Sequence, residues 1–158
     1  MAFFEWSQEY SVGLRAIDDQ HKKIVDIMNE LFDAIRYGKE EEAIRPVFVE
    51  LLRYANGHFG KELELFERYH YVDEAKHVDE HNYFIGRVKS LMIQGYLSDR
   101  SVPLETLHFL KTWFTGHMLK TDVEYCRYFA RQELMDEIEA FLSDGSAPSQ
   151  LSAPGQAP

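Results

Sequence analysis

Five histidines, one glutamate and one aspartate stand at spacings that could build a metal site: His21, His58, Glu62, His77, His81, His117 and Asp122. Of the seven histidines, only His70 and His108 fall outside this set. A structural zinc takes about four ligands and a catalytic zinc about three plus water, so the set is too large for one ion. His58 and Glu62 are four residues apart, as are His77 and His81. On a helix that separation leaves two side chains roughly 40° apart, one turn above the other. Each pair can therefore present two donor atoms to one centre. Glu62 is the informative member, because an ionised carboxylate on an apolar helical face is costly without a compensating charge.

His117 and Asp122 are five apart, which on a regular helix turns the second side chain by roughly 140°, too far to face the same point. The apolar pattern shifts at the same place, from Leu110, Phe114 and His117 to Tyr125 or Cys126 and Phe129. One residue has been inserted into the inward seam. That predicts a kink, bulge or break between Met118 and Thr121, followed by a second helical piece to about Leu142.

Coordination arithmetic sharpens the chemistry. If Glu62 and Asp122 each bridge two ions and a hydroxide bridges them too, five imidazoles divide as three and two. One ion is then filled and the other keeps an open position for a small exogenous ligand such as oxygen. Imidazole with carboxylate suits iron, without excluding manganese or zinc. Imidazole-rich ligation also leaves a reduced pair less electron-rich than a carboxylate-rich site, which favours reversible redox with oxygen.

Four helices can carry these residues. The first has the seam Ile17, His21, Ile24, Met28, Leu31 and Ile35, with Asp18 or Asp19 as its cap and Gly38 beyond its end. The second runs from about Glu40 to Tyr69, with Pro46 suggesting an irregular first turn. The third follows Asp73 and ends near Gly95, and the fourth starts at Pro103. Short connections make an all-α, up-down-up-down four-helix bundle the expected fold, with a short additional C-terminal helix. We expect the bundle over residues 1–132, a helical extension over 133–144 and a disordered tail over 145–158. That tail is rich in Pro, Ser and Ala and has no apolar period.

Composition narrows the partners. Seventeen Lys and Arg against 27 Asp and Glu give a formal charge of −10, which argues against nucleic acid. The start lacks the basic and apolar regions of a signal peptide, and no stretch approaches the roughly 20 apolar residues of a membrane span. The expectation is a cytoplasmic protein without membrane insertion. Oligomeric state is open, with a monomer as the default. His70 and His108 read as surface residues, and Cys126 as a small core residue.

The motifs Ile17-Asp18-Asp19-Gln20-His21-Lys22, His58-Phe59-Gly60-Lys61-Glu62, His77-Val78-Asp79-Glu80-His81 and Trp113-Phe114-Thr115-Gly116-His117, with Trp6, Asp122 and Tyr125, resemble the hemerythrins of the single-domain bacterial type. The resemblance covers roughly residues 1 to 130. It implies two non-haem iron ions with a hydroxo or oxo bridge, and dioxygen as the ligand. It also implies that His77, His81 and His117 hold the saturated iron, His21 and His58 the open one, and that Glu62 and Asp122 bridge. The function implied is reversible oxygen binding for transport, storage or delivery, and not an enzyme activity. The recipient of any delivered oxygen is unknown.

Three departures or additions stand out. Tyr71-Val72 replaces the usual Tyr-Pro before His77. Phe114 replaces a smaller aliphatic residue and could either narrow the oxygen pocket or simply pack in the core. Trp113 and Tyr125 could donate hydrogen bonds to the bridging carboxylates or belong to an aromatic core. The competing readings are an oxygen or redox sensor and a di-iron oxidase or peroxidase. The Glu-x-x-His spacing of carboxylate-rich di-iron bundles is replaced here by His-x-x-x-Glu and His-x-x-x-His, which lowers the enzyme reading.

Overall fold

The computed structural model describes residues 2–97 and 99–144, so the tail expected to be disordered lies outside the described residues. Three long helices, α1 (Arg15–Arg36), α2 (Glu40–Tyr69) and α3 (Glu74–Tyr96), are followed by a composite fourth rod. That rod consists of α4 (Val102–Trp113), a π-helical segment (Phe114–Thr121) and α5 (Asp122–Ala130). A last helix, α6, spans Met135–Ser143. Around the bundle α1 packs on α2, α2 on α3, α3 on α4, and α4 back on α1. This closed square is the up-down-up-down arrangement expected of helices joined by short turns.

The ends of the helices follow from local chemistry, not always as the sequence suggests. Neither Asp18 nor Asp19 caps α1, whose preceding residue is Leu14. Asp18 instead lies inside the first turn and accepts hydrogen bonds from Ser11 Oγ (2.5 Å) and the Val12 amide (2.8 Å). It thereby ties the N-terminal arm to the bundle. At the other end Gly38 adopts φ 67°, and the amides of Gly38 and Lys39 return to the Ile35 and Ala34 carbonyls. This double closure requires a left-handed residue, which glycine supplies without a Cβ penalty.

Pro46 sits inside α2, which is helical from Glu40 onward, so no irregular first turn is needed. Asp73 does precede α3, but its side chain makes no capping bond. The helical piece after the π segment does not run unbroken to Leu142. It stops at Ala130, the chain turns through Glu133 at φ 60°, and α6 begins at Met135.

The apolar interior falls into two clusters. One holds Ile24, Met28, Leu31, Leu51, Phe84, Val88, Leu91, Leu110 and Phe114. The other holds Leu14, Ile17, Leu65, Phe66, Tyr125 and Phe129, closed by Ile138 and Leu142 of α6. Each fully buried large aliphatic side chain stabilises the fold by roughly 1.5–3 kcal/mol. On α1 and α2 candidate ligands lie at the boundary between these clusters: His21 between Ile17 and Ile24, Glu62 between Phe59 and Leu65. The bundle is therefore two apolar cores separated by one polar layer.

Candidate metal centre

All seven candidate residues are buried, with Glu62, Asp122 and His21 fully shielded from solvent. Their donor atoms form two groups. Glu62, His77, His81, His117 and Asp122 make one, and His21, His58 and Asp122 the other, with donor atoms in each group within 4.8 Å of one another. Asp122 belongs to both. Its Oδ2 lies 2.9 Å from His21 Nε2, while its Oδ1 lies 3.0 Å from His117 Nε2 and 3.3 Å from His77 Nε2. Glu62 Oε2 is 3.1 Å from His81 Nε2, 3.4 Å from His77 Nε2 and 3.6 Å from His58 Nε2. It thus lies with the first group and faces the second.

The π-helical segment makes this convergence possible. A π turn adds one residue per turn relative to the α-helical ladder. Spread over Phe114–Thr121, it rotates Asp122 back onto the face that carries His117. The irregularity anticipated between Met118 and Thr121 is present, and it begins earlier, at Phe114.

Most of the donor atoms are unsatisfied within the protein. Both oxygens of Glu62 and of Asp122, both ring nitrogens of His21 and His77, and Nε2 of His58 are buried without a hydrogen-bond partner. Their mutual distances are short, but the geometry leaves lone pairs facing a common space. Buried polar atoms are nearly always paired, so this concentration of orphans fits a cation that accepts their lone pairs. His81 Nε2 and His117 Nε2 face each other at 3.1 Å, again two potential donors aimed at one point.

The charges respond as expected for such a packed layer. Burial alone would raise the Asp122 carboxyl, but His117, His21 and His77 hold it well below the usual carboxylate range. Glu62 behaves likewise: burial and Asp122 push it up, and His58, His77 and His81 prevail in holding it down. Burial lowers His58 to about 4 despite Glu62, and it lowers His81 as well. For His77 burial is outweighed by Asp122 and Glu62, which raise it to about 9. His117 is raised too, because Asp122 overcomes its burial.

Aromatic rings and two short hydrogen bonds fix the imidazoles. Phe59 stacks on His81 at 3.8 Å with a 7° interplanar angle, and Trp113 stacks on His117 at 4.2 Å and 14°. Trp113 Nε1 is buried without a hydrogen-bond partner, and the Tyr125 hydroxyl makes no well-aligned hydrogen bond but lies near enough to Glu62 for that carboxylate to add to burial in raising it. Phe114 is fully buried and meets Phe4, Trp6 and Tyr10 edge-on, which makes it a core residue. Two residues not assigned a role from the sequence hold ligand rings: Gln20 Oε1 lies 2.6 Å from His58 Nδ1, and Glu80 Oε2 lies 2.6 Å from His117 Nδ1. Their only sequence signal is adjacency to His21 and His81. His70 and His108 are exposed, and Cys126 is a buried free thiol.

Fold and site together define a helical bundle with a buried histidine–carboxylate centre able to hold metal. A family model described as the hemerythrin HHE cation binding domain matches residues 12–129. A bacteriohemerythrin of Clostridium acetobutylicum is 32% identical over 127 residues, spanning 77% of this chain and 98% of that relative. One from Pseudomonas aeruginosa is 34% identical over 145 residues, 92% of each chain. A crystal structure of a leucine-to-tyrosine mutant of hemerythrin superposes with a TM-score of 0.72 at 29% identity, covering 80% of this chain and 97% of that one. The chain belongs to the hemerythrin family. No helix among the described residues is long and apolar enough to cross a membrane.

Proposed function

We propose that this protein binds dioxygen reversibly at a non-haem di-iron centre, as a carrier, store or delivery protein rather than an enzyme. The single observation that supports two ions is Asp122, whose two oxygens face different histidine groups. In this reading His77, His81 and His117 hold one iron and His21 and His58 the other, with Glu62 and Asp122 shared. Bound iron would supply the electrons that oxygen takes up and returns.

The chain's own residues do the rest. Three imidazoles against two leave the His21–His58 side the less filled. The apolar clusters on either side of the polar layer exclude bulk water, which would otherwise solvate and carry off charged oxygen species. Phe59 and Trp113 hold the His81 and His117 rings in place by stacking.

The test is an optical spectrum of anaerobically iron-loaded protein before oxygen, with oxygen, and after flushing with argon. The expected result is a visible charge-transfer band that grows with oxygen and bleaches on its removal. A static ferric spectrum with turnover of an added donor would instead assign an enzyme. An unchanged spectrum with two irons bound would reject oxygen binding.

A further inference from the structure

The two ends of the centre are held by chemically different partners. His117 Nδ1 meets a carboxylate, Glu80 Oε2, at 2.6 Å, and His58 Nδ1 meets an amide oxygen, Gln20 Oε1, also at 2.6 Å. In both rings Nε2 faces the centre, at 3.0 Å from Asp122 for His117 and 3.6 Å from Glu62 for His58. A ligating Nε2 must offer its lone pair, so Nδ1 carries the proton and the partner accepts it. A carboxylate acceptor draws that proton towards itself and leaves the ring a stronger electron donor, whereas a neutral amide does so far less.

The surroundings reinforce the contrast. Gln20 and His58 line a groove of about 270 Å³ between α1 and α2, together with Lys23, Lys61 and Arg53. Among the described residues Lys23 and Lys61 make no ion pair, and Arg53 is paired with Glu50. Cations there oppose build-up of positive charge on the nearby metal. Glu80 brings a negative charge to the opposite end, with its side chain 33% exposed and so partly screened.

Resting on the di-iron reading, we propose that Gln20 and Glu80 are positioning residues that set unequal electron-donor strength at the two ends of the centre. Glu80 makes the His77–His81–His117 end the one that favours the oxidised state. Gln20 keeps the less filled His21–His58 end weakly donating, so that oxygen bound there can be released.

The experiment uses the iron-loaded full chain with Gln20→Glu, Glu80→Gln and, as controls that remove the acceptor, Gln20→Leu and Glu80→Leu. The readouts are the reduction midpoint of the ferric form by spectroelectrochemistry and iron loss to a chelator. Both polar swaps keep a hydrogen-bond acceptor, so iron content should stay at the wild-type level. Gln20→Glu should lower the midpoint and slow iron loss, and Glu80→Gln should raise the midpoint. The leucine variants should lose iron about 10- to 100-fold more readily, the usual consequence of removing such a partner.

Midpoints that stay put or move in the same direction in the two polar swaps would overturn the proposal and leave Gln20 and Glu80 as structural props. Failure of the wild-type chain to take up iron would overturn both this proposal and the di-iron reading. Opposed midpoint shifts without an oxygen-dependent band would sustain this proposal and reject oxygen binding alone.

Discussion

The five-residue group and the three-residue group are built from the same ligand types, yet they differ in almost every physical respect. The larger draws on α2, α3, the π segment and α5, has two imidazoles stacked on aromatic rings at 3.8 and 4.2 Å against 5.0 Å for Tyr54 on His58 in the smaller, and has His77 raised to about 9 despite its burial. The smaller draws on α1 and α2 plus the shared Asp122, borders a solvent-facing groove, and holds His58 neutral down to about 4. The difference teaches that one bundle can keep a five-donor group and a three-donor group side by side, joined through one shared carboxylate. What separates them is how many donors each helix supplies, since α3 gives both His77 and His81 to the larger group and none to the smaller.

The most severe break in that comparison is Asp122→Ala, because this residue serves both groups. Iron measured by elemental analysis should fall from two to below one per chain, and full retention of two would show that Asp122 is not shared. Next in size is His58→Ala, which strips the smaller group to His21 and Asp122. The larger group should keep its iron while the oxygen-dependent band disappears. Loss of both irons would mean that the two groups are one cooperative unit.

A smaller effect is expected from Phe59→Leu. It removes the ring stacked on His81, an aromatic contact worth about 0.5–1.5 kcal/mol beyond its buried area. Chelator competition should show several-fold weaker iron retention at the larger group only. Equal weakening at both ions would make Phe59 a general core residue.

A further effect concerns pH in the metal-free chain. His77 has a folded pKa raised to about 9 from an ordinary value of 6.5. Its contribution to stability is fully present below 6.5 and is lost as pH rises through about 9. Tm of the metal-free chain should therefore decline on the alkaline side. Iron-loaded protein should lack this decline, because the metal takes the place of the proton. A metal-free Tm that is flat from pH 7 to 10 would show that His77 does not hold the proton.

Much of the site was legible in the sequence because ligand type and spacing are local properties. The pairs His58–Glu62 and His77–His81 announce a shared helical face, and the extra residue between His117 and Asp122 announces the irregularity that became the π segment. Asp18 misled because a capping residue and a first-turn residue that tethers an arm look alike in sequence. The continuation to Leu142 failed because apolar residues keep a helical period on both sides of the Glu133 turn. The Trp113 ring lies flat against His117, four residues further along the same rod, while its Nε1 finds no partner.

The sequence by itself determined the helical period, the number and kind of donors, and the change of phase before Asp122, since each is set by covalent order along one chain segment. Only the tertiary structure decided which histidines gather into one donor group, that Asp122 turns one oxygen to each group, and that Gln20 and Glu80 hold opposite ends of the centre. Spacing fixes the direction of a side chain about its own helix axis. The relative rotation and height of four helices is fixed only when their apolar faces pack together.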